Sequence, residues 1–182
     1  LLAEDERMMP HLHLSLQAAD DMVLKRMKRR HLRADGLSVA ERARAARPDV
    51  VLGADLIAGF PTESDEMFDN TLSAVREMGL TFLHVFPFSA RPDTPAARMP
   101  QMPVALRKER AARLRAAGDE ARARFFAAQQ GRDVEVLVED GREGHTPHYA
   151  KVKLDFDAEP GTFVTVRISG AEEENLTGTR AA

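Results

Sequence analysis

Asp55-Leu-Ile-Ala-Gly-Phe-Pro-Thr-Glu63 decides the fold. The run that enters it, Val50 to Ile57, is apolar, partly β-branched and too short for a helix, so it reads as a strand buried on both faces. Gly59 lets the backbone turn, and Pro61 fixes φ just before a helix start. Thr62 is predicted as the N-cap, with Asp65 three residues on in an approximate capping box. Phe68, Leu72, Val75 and Met78 then recur at the spacing of a helix that packs one face on a sheet. Strand, tight loop and helix N-terminus form the corner, at a strand's carboxyl end, where α/β folds bind ligands. The free N–H groups of a helix start favour an anionic or strongly polar ligand there. An ordinary βα turn has the same residues.

Upstream, His11-Leu-His-Leu-Ser-Leu-Gln17 alternates with period two and predicts a strand. The leucines take one face; His11, His13, Ser15 and Gln17 take the other, a polar lumen face if the strand belongs to a barrel. His11 and His13 have a spacing that can serve a metal, but no third ligand is evident, and the expectation is no metal site. Asp20 or Asp21 caps a helix over 21–29, with Met22, Val23 and Met27 apolar and Lys25, Arg26, Lys28, Arg29 and Arg30 crowding its last turns. That cluster exceeds what a helix dipole needs and invites a phosphate-rich partner. Ser38 opens a second helix over 39–47, ended by Pro48. Downstream, Thr81 to Phe86 is a strand ended by Pro87, and Ala90 to Ala97 is a proline-rich loop at the same carboxyl edge. Arg91 in that loop suits a carboxylate or phosphate, or simply solvent.

Three strands joined by helical crossovers, at 11–17, 50–57 and 81–86, predict parallel βαβ units. A closed barrel of this kind needs about eight strands. The part is therefore a small open sheet, or half of a TIM-like barrel whose other strands lie in sequence outside this chain. Residues 103–130 read as one long helix, stopped at Gly131. The period then changes. Val134 to Val138, Tyr149 to Phe156 and Thr162 to Ile168 alternate, punctuated by glycines and Pro160-Gly161, which predicts a small β-barrel. The expected domains are 1–130, α/β, and 131–182, all-β.

The chain has 182 residues, 43% hydrophobic and 30% charged, with net charge −3. Nine Lys or Arg against two acids give residues 22–47 a charge of +7, seven against three give residues 104–130 +4, and six against eleven give residues 131–182 −5. The asymmetry points to a basic surface on the first part, or to solvated helix faces. Small barrels commonly bind nucleic acid. Here the acidic balance favours a packing module, although Lys151, Lys153 and Arg167 are candidates for a local basic stripe. No run approaches the length of a membrane span. The acidic first residues, with no initiator Met and no apolar run, are read as the start of a piece of a longer chain. The absence of Cys excludes disulfides and Cys-ligated clusters within it.

These stretches together carry a resemblance. His11 to Gln17, Asp20-Asp-Met-Val-Leu-Lys-Arg-Met-Lys-Arg29, Asp55 to Glu63 and Arg91-Pro-Asp-Thr-Pro-Ala-Ala97 resemble the second half of the core of the radical S-adenosylmethionine methylthiotransferases. Gly144-His-Thr-Pro-His-Tyr149 and the strands around it look like a TRAM domain. His84-Val-Phe-Pro-Phe-Ser89 and the Ser-Leu-Gln strand end look most like the branch that methylthiolates threonylcarbamoyl-adenosine beside the tRNA anticodon. The alternatives are the branch acting on isopentenyl-adenosine in tRNA, the branch acting on a ribosomal protein, and a non-catalytic RNA-binding module.

The resemblance implies S-adenosylmethionine and two 4Fe-4S clusters in the parent enzyme, with no cluster ligated by this chain. It implies tRNA and the missing N-terminal half as partners, and a cytoplasmic location. It assigns Ser15 and Gln17 to the ribose and methionyl side of the cofactor, and Ile57, Gly59, Phe60, Pro61, Val85, Phe86 and Pro87 to the adenine side. Candidate RNA contacts are Lys25, Arg26, Arg29, Arg30, Lys151, Lys153 and Arg167. No catalytic residue is expected, and the chain alone is expected to be inactive. A dimer through open sheet edges is a further expectation. The chain departs from the family pattern at Ala18-Ala19, Thr62 and Asp93. The last two replace a frequent Gly, which predicts slightly different turn backbones.

Overall fold

The computed structural model describes residues 1–181. A three-stranded sheet is ordered β1-β2-β3, from β1 (His11–Gln17), β2 (Val51–Ala58) and β3 (Leu80–Pro87). β2 and β3 run parallel, Asp55 opposite His84 and Ile57 opposite Phe86. Between the strands lie α1 (Asp21–Arg26), α2 (Arg33–Ala46) and α3 (Asp65–Glu77); α4 (Val104–Gln129) follows β3 after a single 3-10 turn. The expected three-strand α/β sheet is present. By contacts the chain divides into two compact units, residues 12–121 and residues 1–11 with 122–182.

The first unit buries the apolar residues that the sequence periodicity selects. Leu16, Leu52, Ala54 and Leu56 from the strands are buried, as are Phe68, Val75 and Met78 of α3 and its C-cap. A polar lattice locks α2 and α3 together. Arg33 donates to the carbonyls of Ala19 and Asn70, to Ser73 Oγ (3.0 Å) and to Glu77 Oε1 (2.7 Å).

Four local expectations are corrected. The N-cap of α3 is Ser64, whose Oγ accepts from Met67 N at 3.2 Å; Thr62 instead sits in the left-handed region at φ 66°. The helix after β1 stops at Arg26, because Lys28 turns left-handed at φ 61°. Lys28, Arg29 and Arg30 therefore lie in an exposed link rather than a last helical turn. α2 begins at Arg33, not after Ser38, because Asp35 Oδ2 accepts from Leu32 N (2.8 Å) and Asp21 Oδ1 from Arg33 N (2.7 Å). The turns at Thr62 and Asp93 keep a glycine-type backbone, with φ 66° and 64°. The expected shift to other turn backbones does not occur, and Thr62 bears a β-branched strain instead.

The second unit is a closed five-stranded barrel, ordered β4-β5-β6-β8-β7. Its strands are β4 (Asp133–Asp140), β5 (Glu143–His145), β6 (Lys151–Leu154), β7 (Phe163–Glu172) and β8 (Asn175–Arg180). Val136, Val138, Val152, Leu154, Val166, Ile168 and Leu176 fill its interior. The sequence periodicity identifies β4, β6 and β7 and misses β5 and β8, which complete the ring. No helix among the described residues is long and apolar enough to cross a membrane.

Candidate functional site

The Gly-Phe-Pro corner is built from the inside out. Gly59 has φ +74°, and a Cβ there would lie 2.5 Å from Arg107 Cγ and 3.0 Å from Arg107 Cα, so the corner admits glycine alone. Phe60 is buried with Ala18, Val23 and Leu24, and meets Phe88 edge-on at 5.2 Å between ring centroids. Glu63 turns back and accepts from Gly59 N through Oε2 at 3.0 Å. Arg110, 2% exposed, donates to that same oxygen at 2.7 Å, to the Glu63 carbonyl at 3.0 Å and to Asp65 Oδ1 at 2.5 Å. Burial pushes the Glu63 carboxyl above the usual carboxylate range, against the opposing pull of Arg110. Arg26 ties the far side of the turn, donating to the Thr62 carbonyl at 3.0 Å.

This scaffold borders a cavity of about 540 Å³ at the carboxyl ends of β2 and β3. Ile57, Phe86, Pro87 and Phe88 supply apolar walls; Ser89, Arg91 and Thr94 supply polar atoms. Such a lining suits a flat, largely apolar group carrying a few polar edges. Of the residues assigned to the cofactor's adenine side, Ile57, Phe86 and Pro87 line this cavity. Gly59, Phe60 and Pro61 are buried and shape the corner from beneath. Val85 pairs with Leu56 in register, on the sheet face opposite His84 and Phe86. Ser15 lines a smaller cavity of about 250 Å³ with His13, His31 and Asp35. Gln17 ends β1 in the left-handed region at φ 69°, an uncommon conformation for this residue type that recurs at ligand sites.

The residues fit the nucleoside part of S-adenosylmethionine: apolar walls, polar groups at the rim and a strand-end location coincide. They do not fit an iron–sulfur cluster, since the sequence has no cysteine.

The basic candidates separate. Lys25, Arg29 and Arg30 are exposed, whereas Arg26 is half-buried and engaged with the Thr62 turn. Lys151 pairs with Glu143 at 2.5 Å, and Arg167 pairs with Asp133, donating to Oδ2 at 2.8 Å. β8 separates β6 from β7, so Lys151 and Lys153 lie one strand away from the neighbour of Arg167's strand. Hydrogen bonding to Arg167 holds Asp133 below the usual carboxylate range, and hydrogen bonding to Lys151 does so for Glu143.

The sequence reading missed one cluster. Asp55 Oδ1 lies 2.9 Å from His13 Nε2 and 3.2 Å from His84 Nδ1, and the two rings stand 4.6 Å apart. Hydrogen bonding to His13 holds the Asp55 carboxyl below its usual range. Strand alternation places His13 on the polar face of β1, and the parallel register of β2 and β3 would have supplied the other two.

Residues 2–75 match the Radical SAM superfamily. The chain is 50% identical over 173 residues to a threonylcarbamoyladenosine tRNA methylthiotransferase MtaB of Rickettsia prowazekii, covering 95% of this chain and 41% of that protein. It is 42% identical over 182 residues to a tRNA-2-methylthio-N(6)-dimethylallyladenosine synthase of Novosphingobium aromaticivorans, covering 96% of this chain and 41% of that one. A protein of the same name from Bartonella bacilliformis is 34% identical over 181 residues, covering 96% and 40%. The chain thus spans about two fifths of the length of the curated relatives it matches.

Proposed function

Starting from a chain related by sequence to the radical S-adenosylmethionine methylthiotransferases over nearly all its residues, we propose that it is the carboxyl-terminal portion of a tRNA methylthiotransferase acting on threonylcarbamoyl-adenosine beside the anticodon. Its three-stranded sheet is half of a TIM-like barrel, completed in the whole enzyme by an N-terminal part docking on the open edges of β1 or β3. Its five-stranded barrel acts as a TRAM domain. The reaction belongs to the whole enzyme, in the cytoplasm with its tRNA. Without cysteine thiolates this portion alone is inactive.

The observation that carries the reading is the cavity at the ends of β2 and β3, in a chain 50% identical to an enzyme named for that substrate. When bound, S-adenosylmethionine supplies the methyl group and the radical precursor of the reaction. The residues of this chain hold its nucleoside: Ile57, Phe86 and Pro87 exclude water from the base, and Ser15 and Gln17 lie along the polar side of the sheet. Glu63 and Arg110 are positioning residues that fix the Gly-Phe-Pro corner without reaching the cofactor.

A chimera tests this. The N-terminal three fifths of the Rickettsia enzyme, joined to this chain, is expressed in a host lacking the modification. Tandem mass spectrometry of the tRNA nucleosides is expected to show methylthiolated threonylcarbamoyl-adenosine. Methylthiolated isopentenyl-adenosine alone would assign the chain to the second branch, two proteins of which are 42% and 34% identical to it.

For tRNA docking, the charge distribution favours the exposed link after α1 over the acidic barrel. Replacing Arg29 and Arg30 by Ala is expected to weaken tRNA binding by the purified chain. It is also expected to lower the slope of log affinity against log salt by about 2. Undiminished binding by that variant, together with lost binding on deletion of residues 131–182, would move the interface to the barrel.

A further inference from the structure

We propose that His13, Asp55 and His84 form a binding site for one divalent transition-metal ion of the zinc class. The three come from three adjacent strands and present two imidazole nitrogens and one carboxylate oxygen, all within 4.8 Å of one another. Two imidazoles and a carboxylate on one side of an ion, with the remaining positions open, is a donor set for Zn²⁺, Fe²⁺ or Co²⁺ rather than for Mg²⁺ or Ca²⁺. Each imidazole reaches Asp55 through the nitrogen that would face the ion, and a neutral ring frees that nitrogen by carrying its proton on the other one.

The backbone is shaped around this cluster. Gly53, two residues before Asp55 on β2, leaves room that the His13 ring fills: a Cβ at Gly53 would lie 2.7 Å from His13 Nδ1 and 2.9 Å from the Phe82 carbonyl oxygen. His13 is thereby set toward Asp55 by a gap that only glycine provides. The next residues along the same faces of β2 and β3 are Ile57 and Phe86, which line the cavity. The ion would lie roughly 7 Å along the strands from the cavity wall, two residues at about 3.3 Å each.

The site does not depend on the enzymatic reading, and the test uses the purified 182-residue chain. Co²⁺ is titrated with detection of its visible ligand-field absorption, and Zn²⁺ by calorimetry. One ion per chain is expected. His84→Ala and Asp55→Asn are each expected to weaken binding at least about tenfold, while His148→Ala, in the other unit, leaves it unchanged. His84 is 63% exposed on its side chain, so its removal spares the core, and a far-ultraviolet spectrum matching the parent shows that the variant is folded. Failure of either ion to bind at one per chain overturns the proposal. So does binding whose affinity survives both His84→Ala and Asp55→Asn.

Discussion

Arg110→Ala is expected to lower folding stability by about 3–5 kcal/mol, the scale for removing one partner of a buried ion pair. The guanidinium is almost wholly buried and satisfies the Glu63 carboxylate, the Glu63 carbonyl and Asp65 together, while its Cζ lies 5.3 Å from the Phe68 ring centroid. Alanine leaves Glu63 buried without its counter-charge, in a corner whose burial already raises its pKa. The sign of the pH effect follows. A carboxyl whose folded pKa lies above its unfolded value loses stability as pH rises through the interval between them. Loss of Arg110 widens that interval, so the gap between variant and parent is expected to grow from pH 5 to pH 8. Urea unfolding at both pH values measures it. Adding Glu63→Gln is expected to recover part of the loss, giving a non-additive double-mutant cycle. An additive cycle would refute the pairing.

Gly59→Ala is expected to cost about 3 kcal/mol. Left-handed φ costs a non-glycine residue roughly 1–2 kcal/mol, and forcing a methyl into a packed site adds about 1–3 kcal/mol. Here the methyl meets the Cα of Arg107, which cannot rotate away as a side-chain tip would. Relief requires α4 to move, and with it the Arg107 contact to the Phe88 carbonyl at 2.7 Å. Calorimetric binding of S-adenosylmethionine to the parent and to Gly59→Ala is expected to show weaker binding in the variant, because Phe88 belongs to the cavity wall. An unchanged melting temperature would exclude the contact with α4.

Much of this site was legible in the sequence because it rests on patterns that local physics imposes. An apolar run before Gly-Phe-Pro must be a strand, and Phe68, Val75 and Met78 must face a sheet. The errors share one origin, competition among neighbouring polar side chains. Thr62 and Ser64 both offer a hydroxyl to the start of α3, and only the left-handed turn at Thr62 decides for Ser64. Asp35, which accepts from Leu32 N in the first turn, moves the start of α2 six residues earlier, from the expected 39 to Arg33. β8, Asn175-Leu-Thr-Gly-Thr-Arg180, is poor in strand-forming residues and is stabilised by its two neighbours, β6 and β7. The His13–Asp55–His84 cluster spans 42 and 29 residues of separation, beyond any local motif. Arg110 was invisible as a core residue because nothing in a helix rich in Arg and Ala marks which guanidinium turns inward.

The order of the barrel strands bears on synthesis at the ribosome. β8 sits between β6 and β7, pairing parallel to the first and antiparallel to the second. Until residue 180 has cleared the exit tunnel, both neighbours present unpaired backbone to solvent. The three-stranded sheet has all its strands by residue 87, yet its main corner waits for Arg110. A chain synthesised as far as β7 but not β8 therefore carries two exposed strand edges, and one cut short before Asn175 leaves an open sheet ready to pair with another copy.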